Sequence, residues 1–290
     1  MPAASQPLGL IAGEGIFPLL VARGARAAGR TVVCTAFKGS AAPELKAECD
    51  QFAWVGVAQI GKWIRILRSA GCSQAIMVGR VAKRKMYDRW RYVRNIPDWR
   101  TLKLWLTELR HDKRDQAVLY AVIRELQKEG ITLIDSTEYT KDHLAADGVM
   151  THRQPTDAQW GDARHGWELC QTLSRLDIGQ AIAVMNKNVI AVEAMEGTNA
   201  LIERAGTLCR TPGWTLIKVS NVKRDMRVDV PTIGITTVEK LHAAGAGCLV
   251  VEAGKTILLE KEKVLALADK LKIAVIGCEG FASDALEAKL

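Results

Sequence analysis

Apolar residues in the first half of the chain fall into short unbroken runs separated by stripes spaced at i, i+3, i+4 and i+7. Leu8 to Ala12 is a run of the first kind and reads as a buried strand, with Gly13-Glu14-Gly15 as a tight turn after it. Pro18 suits the first turn of a helix that runs to about Ala28, where Gly29 closes it. Thr31 to Phe37, rich in β-branched residues, predicts a second strand, and Phe52 to Val55 a shorter third. Ile60, Trp63, Ile64 and Leu67 form one helical face that ends at Gly71, and Ala75 to Val78 follows as a strand. Helices near 101–109 and 115–128 and a strand at 132–134 complete the alternation. Strands alternating with helices imply a parallel sheet covered on both faces.

The second half reads differently. Residues 136–156 show mixed polar character without a sustained period and are expected to connect two domains. A helix from Asp157 to about Leu176 opens the next block, with Trp160, Ala163, Trp167 and Cys170 on one side. Ala181 to Met185 and Val189 to Val192 flank Asn186-Lys187-Asn188, which reads as a hairpin. A helix near 199–205, a strand at 215–219, a helix at 237–244, strands at 248–251 and 256–259, a helix at 261–271 and a strand at 273–276 follow. The expected organisation is a Rossmann-like domain over 1–135, a connection over 136–156, a second α/β domain of mixed topology over 157–280 and a tail over 281–290.

Length and composition agree with that division. A chain of 290 residues is long for one core and suits two, and 48% hydrophobic with 25% charged residues is an ordinary globular balance. The net charge of +8 favours anionic partners: phosphates, nucleic acid or an acidic membrane face. The seven cysteines are scattered without a C-x-x-C pair, so buried reduced thiols are expected rather than zinc sites or disulfides. The opening residues lack the basic and apolar regions of a secretory signal. No apolar run approaches the roughly 20 residues that span a bilayer, so a soluble or peripheral protein is expected.

Three stretches could carry chemistry. The first is the glycine turn after Leu8–Ala12, where a helix N-terminus offers N–H groups and a positive dipole end to an anion. The same glycines could serve the turn alone. The pattern lacks the third glycine of a dinucleotide fingerprint, and the second strand ends in Phe37-Lys38 where a nicotinamide enzyme places a ribose-binding acid. The second stretch, Gly79 to Arg94, holds seven Lys/Arg against one Asp with Tyr87, Trp90 and Tyr92 interleaved. Such a segment can bind nucleic acid, ride an anionic membrane or remain a solvated loop.

The third stretch is the most informative. One strand delivers Glu193 and then Glu196, and the next delivers Lys218. Asp225, Arg227 and Asp229 recur at i, i+2 and i+4, which places them on one face if extended. Carboxylates grouped with Lys and Arg can hold Mg²⁺ and neutralise phosphate oxygens, or can pair internally on a solvated sheet face. His152 and His165 match no metal spacing. Neither a G-x-S-x-G elbow nor a P-loop is present.

The stretches LGLIAGEGIFP, GRV, DIGQAIAVMNKNVIAVEAMEGTNALIERAG, KVSNVKRDMRVDVPTIG and VEAGKTILLEKEKVLALADKLKIAVIG occur in order along nearly the whole chain. With them the chain resembles the LpxI-type UDP-2,3-diacylglucosamine pyrophosphatases. The resemblance implies hydrolysis of UDP-2,3-diacylglucosamine to UMP and 2,3-diacylglucosamine 1-phosphate (lipid X) with Mg²⁺ or another divalent metal, in the lipid A biosynthesis of Gram-negative bacteria. It also implies a cytoplasmic protein peripheral to the inner membrane, with the active site in a cleft between two α/β domains.

Carried onto this sequence, the resemblance makes Asp225 the leading catalytic residue, with Lys218 and Arg227 beside it. Metal ligation falls to Glu193, Glu196, Asp225 and Asp229. Substrate binding falls to Ala12, Gly13, Glu14, Gly15, Gly79, Arg80, Thr198 and Asn199. Two positions depart from the family pattern: Asn199 stands where an aspartate is expected, and Val228 where an aromatic is expected. The implied partners are an acylated UDP-sugar and an anionic membrane surface, without nucleic acid and with a homodimer left open. The alternatives are a nucleic-acid-binding protein using 80–94 and a nicotinamide-dependent Rossmann enzyme.

Overall fold

A computed structural model describes residues 6–81, 96–110, 115–220, 227 and 230–281. The chain forms two compact units, the first holding the described residues up to Lys141 together with Arg227, the second the other described residues from Asp142 onward. The basic stretch beyond Val81, including Arg84, Lys85 and Arg89, lies outside the described residues, as do Asp225, Val228, Asp229 and most of the expected tail.

In the first unit five parallel strands lie in the order β3-β2-β1-β4-β5. They are β1 (Leu8–Ala12), β2 (Val32–Phe37), β3 (Gln51–Val55), β4 (Gln74–Val78) and β5 (Thr132–Leu133). Every residue of β1 and β2 is buried, as expected of strands covered on both faces. Helices α1 (Phe17–Ala27), α2 (Ile60–Ser69), α3 (Trp99–Thr107) and α4 (Asp115–Lys128) supply the cover. Trp63, Ile64 and Leu67 of α2 join Leu104 of α3 and Ile123 and Leu126 of α4 in one core with Val33 and Phe37. Trp63 is additionally fixed by its indole N–H, which donates to the Gly56 carbonyl at 2.8 Å.

The second unit is built on a mixed six-stranded sheet, ordered β6-β13-β11-β9-β7-β8. Here β9 (Trp214–Lys218), β11 (Ala246–Glu252) and β13 (Ala274–Cys278) run parallel. Strands β7 (Ala181–Met185) and β8 (Asn188–Val192) form the hairpin, and β7 pairs antiparallel with β9. The hairpin turn is tighter than expected. Asn186 and Lys187 both take left-handed backbone conformations (φ 51° and 60°), as a two-residue turn between twisted strands requires. The Lys187 N–H donates to the buried Asp162 carboxylate at 2.6 Å.

Helix α5 (Asp157–Arg175) begins with a capping box between Thr156 and Gln159. It covers one sheet face, where Trp167 and Cys170 pack with Ile182, Ile217 and Val250. Helices α6 (Thr198–Leu208), α7 (Ile235–Ala243) and α8 (Lys261–Lys270) contribute Leu201, Ile202, Val238, Leu241 and Val264 to the core that holds Ala181, Leu216 and Val251. A two-stranded parallel ribbon pairs β10 (Thr232–Ile233) with β12 (Ile257–Leu258).

Within the stretch 136–156, expected as a connection, Gly148 and Val149 join the second sheet. Strand β6 (Gly148–Val149) pairs antiparallel with β13, the Met150 N–H donates to the Val275 carbonyl at 2.8 Å, and the Val275 N–H donates to Thr151 Oγ1 at 2.9 Å. Two residues are too few to show an alternating pattern, so this edge strand leaves no periodic signal.

Candidate active site

The first unit carries its candidate site where the strand order reverses. The chain crosses from β1 to β2 on one side and reaches β4 on the other, so the carboxyl ends of β1 and β4 adjoin at a topological switch point. Ala12 is the last residue of β1 and is buried, in register with Ala36 and Val78. Beyond it the two chains stay together. The Gly13 N–H donates to the Val78 carbonyl at 2.8 Å, the Glu14 N–H to the Arg80 carbonyl at 2.8 Å, and the Arg80 N–H to the Glu14 carbonyl at 2.9 Å.

Glu14, Gly15, Gly79 and Arg80 are exposed just before α1. That helix has no side-chain cap at its N-terminus, and its Pro18 offers no N–H. The arrangement presents a positive dipole end in a turn whose backbone is bridged to the exposed Arg80, which suits an anionic ligand. Lys38 follows β2 with its N–H donating to the Val55 carbonyl at 2.9 Å, so no carboxylate stands there to hold a ribose.

In the second unit three apolar strands each deliver a charged residue at the same end of the sheet. Lys218 closes β9, Glu252 closes β11, and Glu193 follows β8. Ala181 links two of them: it is in register with Lys218, and its carbonyl accepts the Glu193 N–H at 2.9 Å. Residues aligned across neighbouring strands leave the same face, and strands two apart are separated by about 10 Å. Glu193 and Lys218 therefore flank the Ala181 methyl on the face covered by α6.

Glu193 is buried and tied on both oxygens. Its Oε2 accepts the Gln180 N–H at 3.3 Å, and its Oε1 accepts the Thr198 hydroxyl at 2.8 Å. Gly197 (φ 82°) caps α6 without a side chain, so this carboxylate stands at an open helix N-terminus. Glu196 points elsewhere: it pairs with Arg204 at 2.9 Å and accepts the Ala194 N–H at 3.2 Å. Asn199, the second residue of α6, is exposed. Lys218 is buried, and its Nζ donates to the Thr232 carbonyl at 3.5 Å. Arg227, which belongs with the first unit, lies in a turn and is half-buried.

The Cys170 thiol senses this cluster. Burial pushes it up to about 12; the Val219 N–H pulls it down, Glu193 and Glu252 push it further up, and Lys218 pulls it down. Five of the seven cysteines are buried, in keeping with packing thiols.

Sequence reasoning missed Glu252 and its partner Ser220. Glu252 was detectable, because GCLVVE ends a buried strand on an acid in the same way that NVIAVE and WTLIK end on charges. Among the described residues no group of three His, Cys, Asp or Glu side chains could hold a metal ion.

A parallel-sheet unit and a mixed-sheet unit with buried charges at one sheet end define a two-domain α/β protein. The family model of the LpxI N-terminal domain matches residues 7–143, and that of the LpxI C-terminal domain matches residues 146–276. The chain is 32% identical over 283 residues, covering 94% of its length and 97% of the relative, to the UDP-2,3-diacylglucosamine pyrophosphatase LpxI of Caulobacter vibrioides. The chain belongs to the LpxI family.

Proposed function

We propose that this chain hydrolyses the pyrophosphate of UDP-2,3-diacylglucosamine to UMP and 2,3-diacylglucosamine 1-phosphate, a step of lipid A biosynthesis. The observation that carries the reading is the match to the Caulobacter pyrophosphatase along 94% of the chain, through both family domains. Water adds to one phosphorus, the bridging P–O bond breaks, and the bridging oxygen leaves with the other phosphate. Negative charge grows on the phosphate oxygens, and preorganised cations lower the barrier most where water is excluded.

Lys218 and Arg227 are assigned to that stabilisation. Lys218 suits it because it is buried and held by the Thr232 carbonyl, so its ammonium needs little reorganisation. Asp225 is assigned to water or metal. Substrate binding is assigned to Gly13, Glu14, Gly15, Gly79, Arg80, Thr198 and Asn199, together with the backbone of Ala12. The open turn beside α1 and the exposed Arg80 support phosphate contact there.

The metal part of the proposal is Mg²⁺ with donors from Glu193, Glu196, Asp225 and Asp229. When bound, the ion neutralises pyrophosphate oxygens. Each Glu193 oxygen accepts one hydrogen bond and keeps a second lone-pair site, whereas Glu196 would have to leave Arg204. The described carboxylates do not suffice alone, so this part of the proposal leans on Asp225 and Asp229.

A peripheral position on an anionic, cytoplasmic membrane face completes the reading. No helix among the described residues is long and apolar enough to cross a membrane. Helix α3 turns Trp99, Leu102, Trp105 and Leu106 outward, which is what interfacial helices do.

The deciding experiment measures UMP release from UDP-2,3-diacylglucosamine with Mg²⁺ and with EDTA, for wild type and Asp225→Ala. Release with Mg²⁺, its arrest by EDTA and a loss of about 10²-fold or more in the variant are expected. Absence of UMP with every divalent metal sinks the function. Full turnover in EDTA removes the metal alone, and near-normal Asp225→Ala turnover removes that residue's role.

A further inference from the structure

Four large apolar side chains of the second unit stand exposed along α5 and on the loop that follows β8: Leu169 (38% exposed), Leu176 (63%), Ile178 (48%) and Met195 (99%). Leu169 and Leu176 are two turns apart on one side of the α5 segment. The helix then ends in a Schellman turn. The Asp177 N–H donates to the Ser174 carbonyl and the Ile178 N–H to the Leu173 carbonyl, both at 3.1 Å, and Asp177 is left-handed (φ 59°). Ile178 is thereby fixed at the helix end.

The backbone on either side of Met195 is fixed as well. A Cβ on Gly179 would lie 1.9 Å from the Glu193 carbonyl oxygen, so the chain just after Ile178 runs against the chain just before Met195. The Gln180 N–H donates to the Glu193 carboxylate at 3.3 Å across the same approach. Glu196 accepts the Ala194 N–H at 3.2 Å and pairs with Arg204, and the Gly197 N–H donates to the Ala194 carbonyl at 3.3 Å. A braced loop therefore holds the Met195 thioether out into solvent.

Single exposed apolar residues are ordinary, whereas a strip of them marks a binding surface. This strip borders the buried Glu193 and the open N-terminus of α6, to which part of the proposed reaction is assigned. None of the four side chains is aromatic, and a nucleobase seeks a ring to stack on. Branched aliphatic and thioether groups instead pack against an alkyl chain, the thioether adapting its shape to it. The acyl groups of the proposed substrate sit at positions 2 and 3 of a sugar whose position 1 bears the pyrophosphate. Its chains therefore depart within one sugar ring of the reacting phosphates.

We infer that Ile178 and Met195, continued by Leu176 and Leu169, receive an acyl chain of the substrate and make the site selective for acylated UDP-sugars. The inference rests on the functional reading above for the identity of the substrate. The affinity of the strip for an alkyl chain is testable without that reading.

The experiment compares wild type, an Ile178→Ser, Met195→Ser double variant and Leu208→Ser, a comparably exposed position (61%) at the far end of α6. All three changed side chains are exposed, so the fold is expected to survive the substitutions. UMP release is measured from UDP-2,3-diacylglucosamine with long acyl groups and from the same UDP-sugar with acetyl groups. The double variant is expected to lower the ratio of the two kcat/KM values by about tenfold, mainly by raising KM for the long-chain substrate. Leu208→Ser is expected to keep the wild-type ratio. Each protein is also titrated with octyl phosphate, below its micelle threshold, and with methyl phosphate. The preference for the octyl ester is expected to fall about tenfold in the double variant alone.

An unchanged ratio in the double variant overturns the inference, and so does an equal fall in Leu208→Ser, which would mark general surface adhesion. A changed sedimentation mass with an unchanged ratio would give the strip to a second copy of this chain and overturn it too. If wild type releases no UMP from either substrate, the functional reading fails and the octyl phosphate titration decides by itself. Equal octyl preference in wild type and double variant then removes the role of the strip.

Discussion

Gly13 and Gly79 meet backbone to backbone where β1 and β4 end. A Cβ on Gly79 would lie 2.6 Å from the Gly13 carbonyl carbon, and one on Gly13 would lie 2.7 Å from the Arg80 carbonyl oxygen. Gly79 also has φ +92°, whereas Gly15 has φ +109° with nothing within 4 Å of its would-be Cβ. The two positions therefore separate backbone strain from close approach. Gly15→Ala should lose about 1–3 kcal/mol through backbone strain alone. Gly79→Ala should lose about 2 kcal/mol more, from overpacking against main chain that cannot retreat. Urea unfolding of both variants checks this, and equal losses would show that the close approach is not what requires glycine at 79.

Glu193 can be divided into an anchoring and a chemical role. An amide at this position keeps both contacts, its oxygen taking the Gln180 N–H and its NH₂ facing the Thr198 hydroxyl, which can turn to accept. Glu193→Gln should stay within about 1 kcal/mol of wild type, and Glu193→Ala should lose about 1–3 kcal/mol by stranding two donors. If Glu193 also donates to Mg²⁺, Glu193→Gln should need more Mg²⁺ and release UMP at least about tenfold more slowly. Wild-type kinetics in that variant would confine Glu193 to anchoring.

Asp269 makes the second unit sensitive to acid. It accepts the His152 N–H at 2.7 Å and the Arg153 N–H at 3.1 Å, and it faces His152 Nδ1 at 2.7 Å. Burial alone would raise this carboxyl, but the His152 ring and the two N–H groups outweigh burial and hold it below its usual range. A carboxyl lowered on folding contributes stability that is complete above the unfolded value, about 3.9, and is lost as pH falls through the folded one. Unfolding midpoints should therefore fall below about pH 4, and Asp269→Asn should flatten that decline. An identical acid profile in the variant would rule out this contribution.

Helix α3 should govern attachment to anionic lipid. Trp99 is 79% exposed and Leu106 60%, on the side away from the buried Leu104. Lys103 and Arg110 are exposed on the same segment, and Trp99 shares a groove with Arg65, Arg68 and Arg100 as well as with Asp98 and Glu129. Co-sedimentation with phosphatidylglycerol vesicles should drop about tenfold in a Trp99→Ser, Leu106→Ser double variant, while neutral vesicles bind little of either protein. Equal binding of wild type and variant to anionic vesicles would dismiss the helix as the attachment surface.

Local pattern sufficed for most elements, because each is encoded within its own window. Leu8–Ala12 is an unbroken apolar run, and the 60-63-64-67 stripe is a single helical face, so β1 and α2 follow from neighbours alone. The glycine turn after β1 was legible for the same reason. Strand β6 was not, because its two residues become a strand only by pairing with β13 far along the chain. The same holds at the sheet end. The sequence by itself determined that apolar strands stop on Glu193, Lys218 and Glu252, and that Asp225, Arg227 and Asp229 follow in a charged run. Only the tertiary structure decided that Ala181 lies between Glu193 and Lys218, that Glu196 turns to Arg204, and that Glu252 reaches back to the Ser220 N–H. Strand order and register are set by burying whole faces against one another, and that selection has no counterpart in any single stretch of sequence.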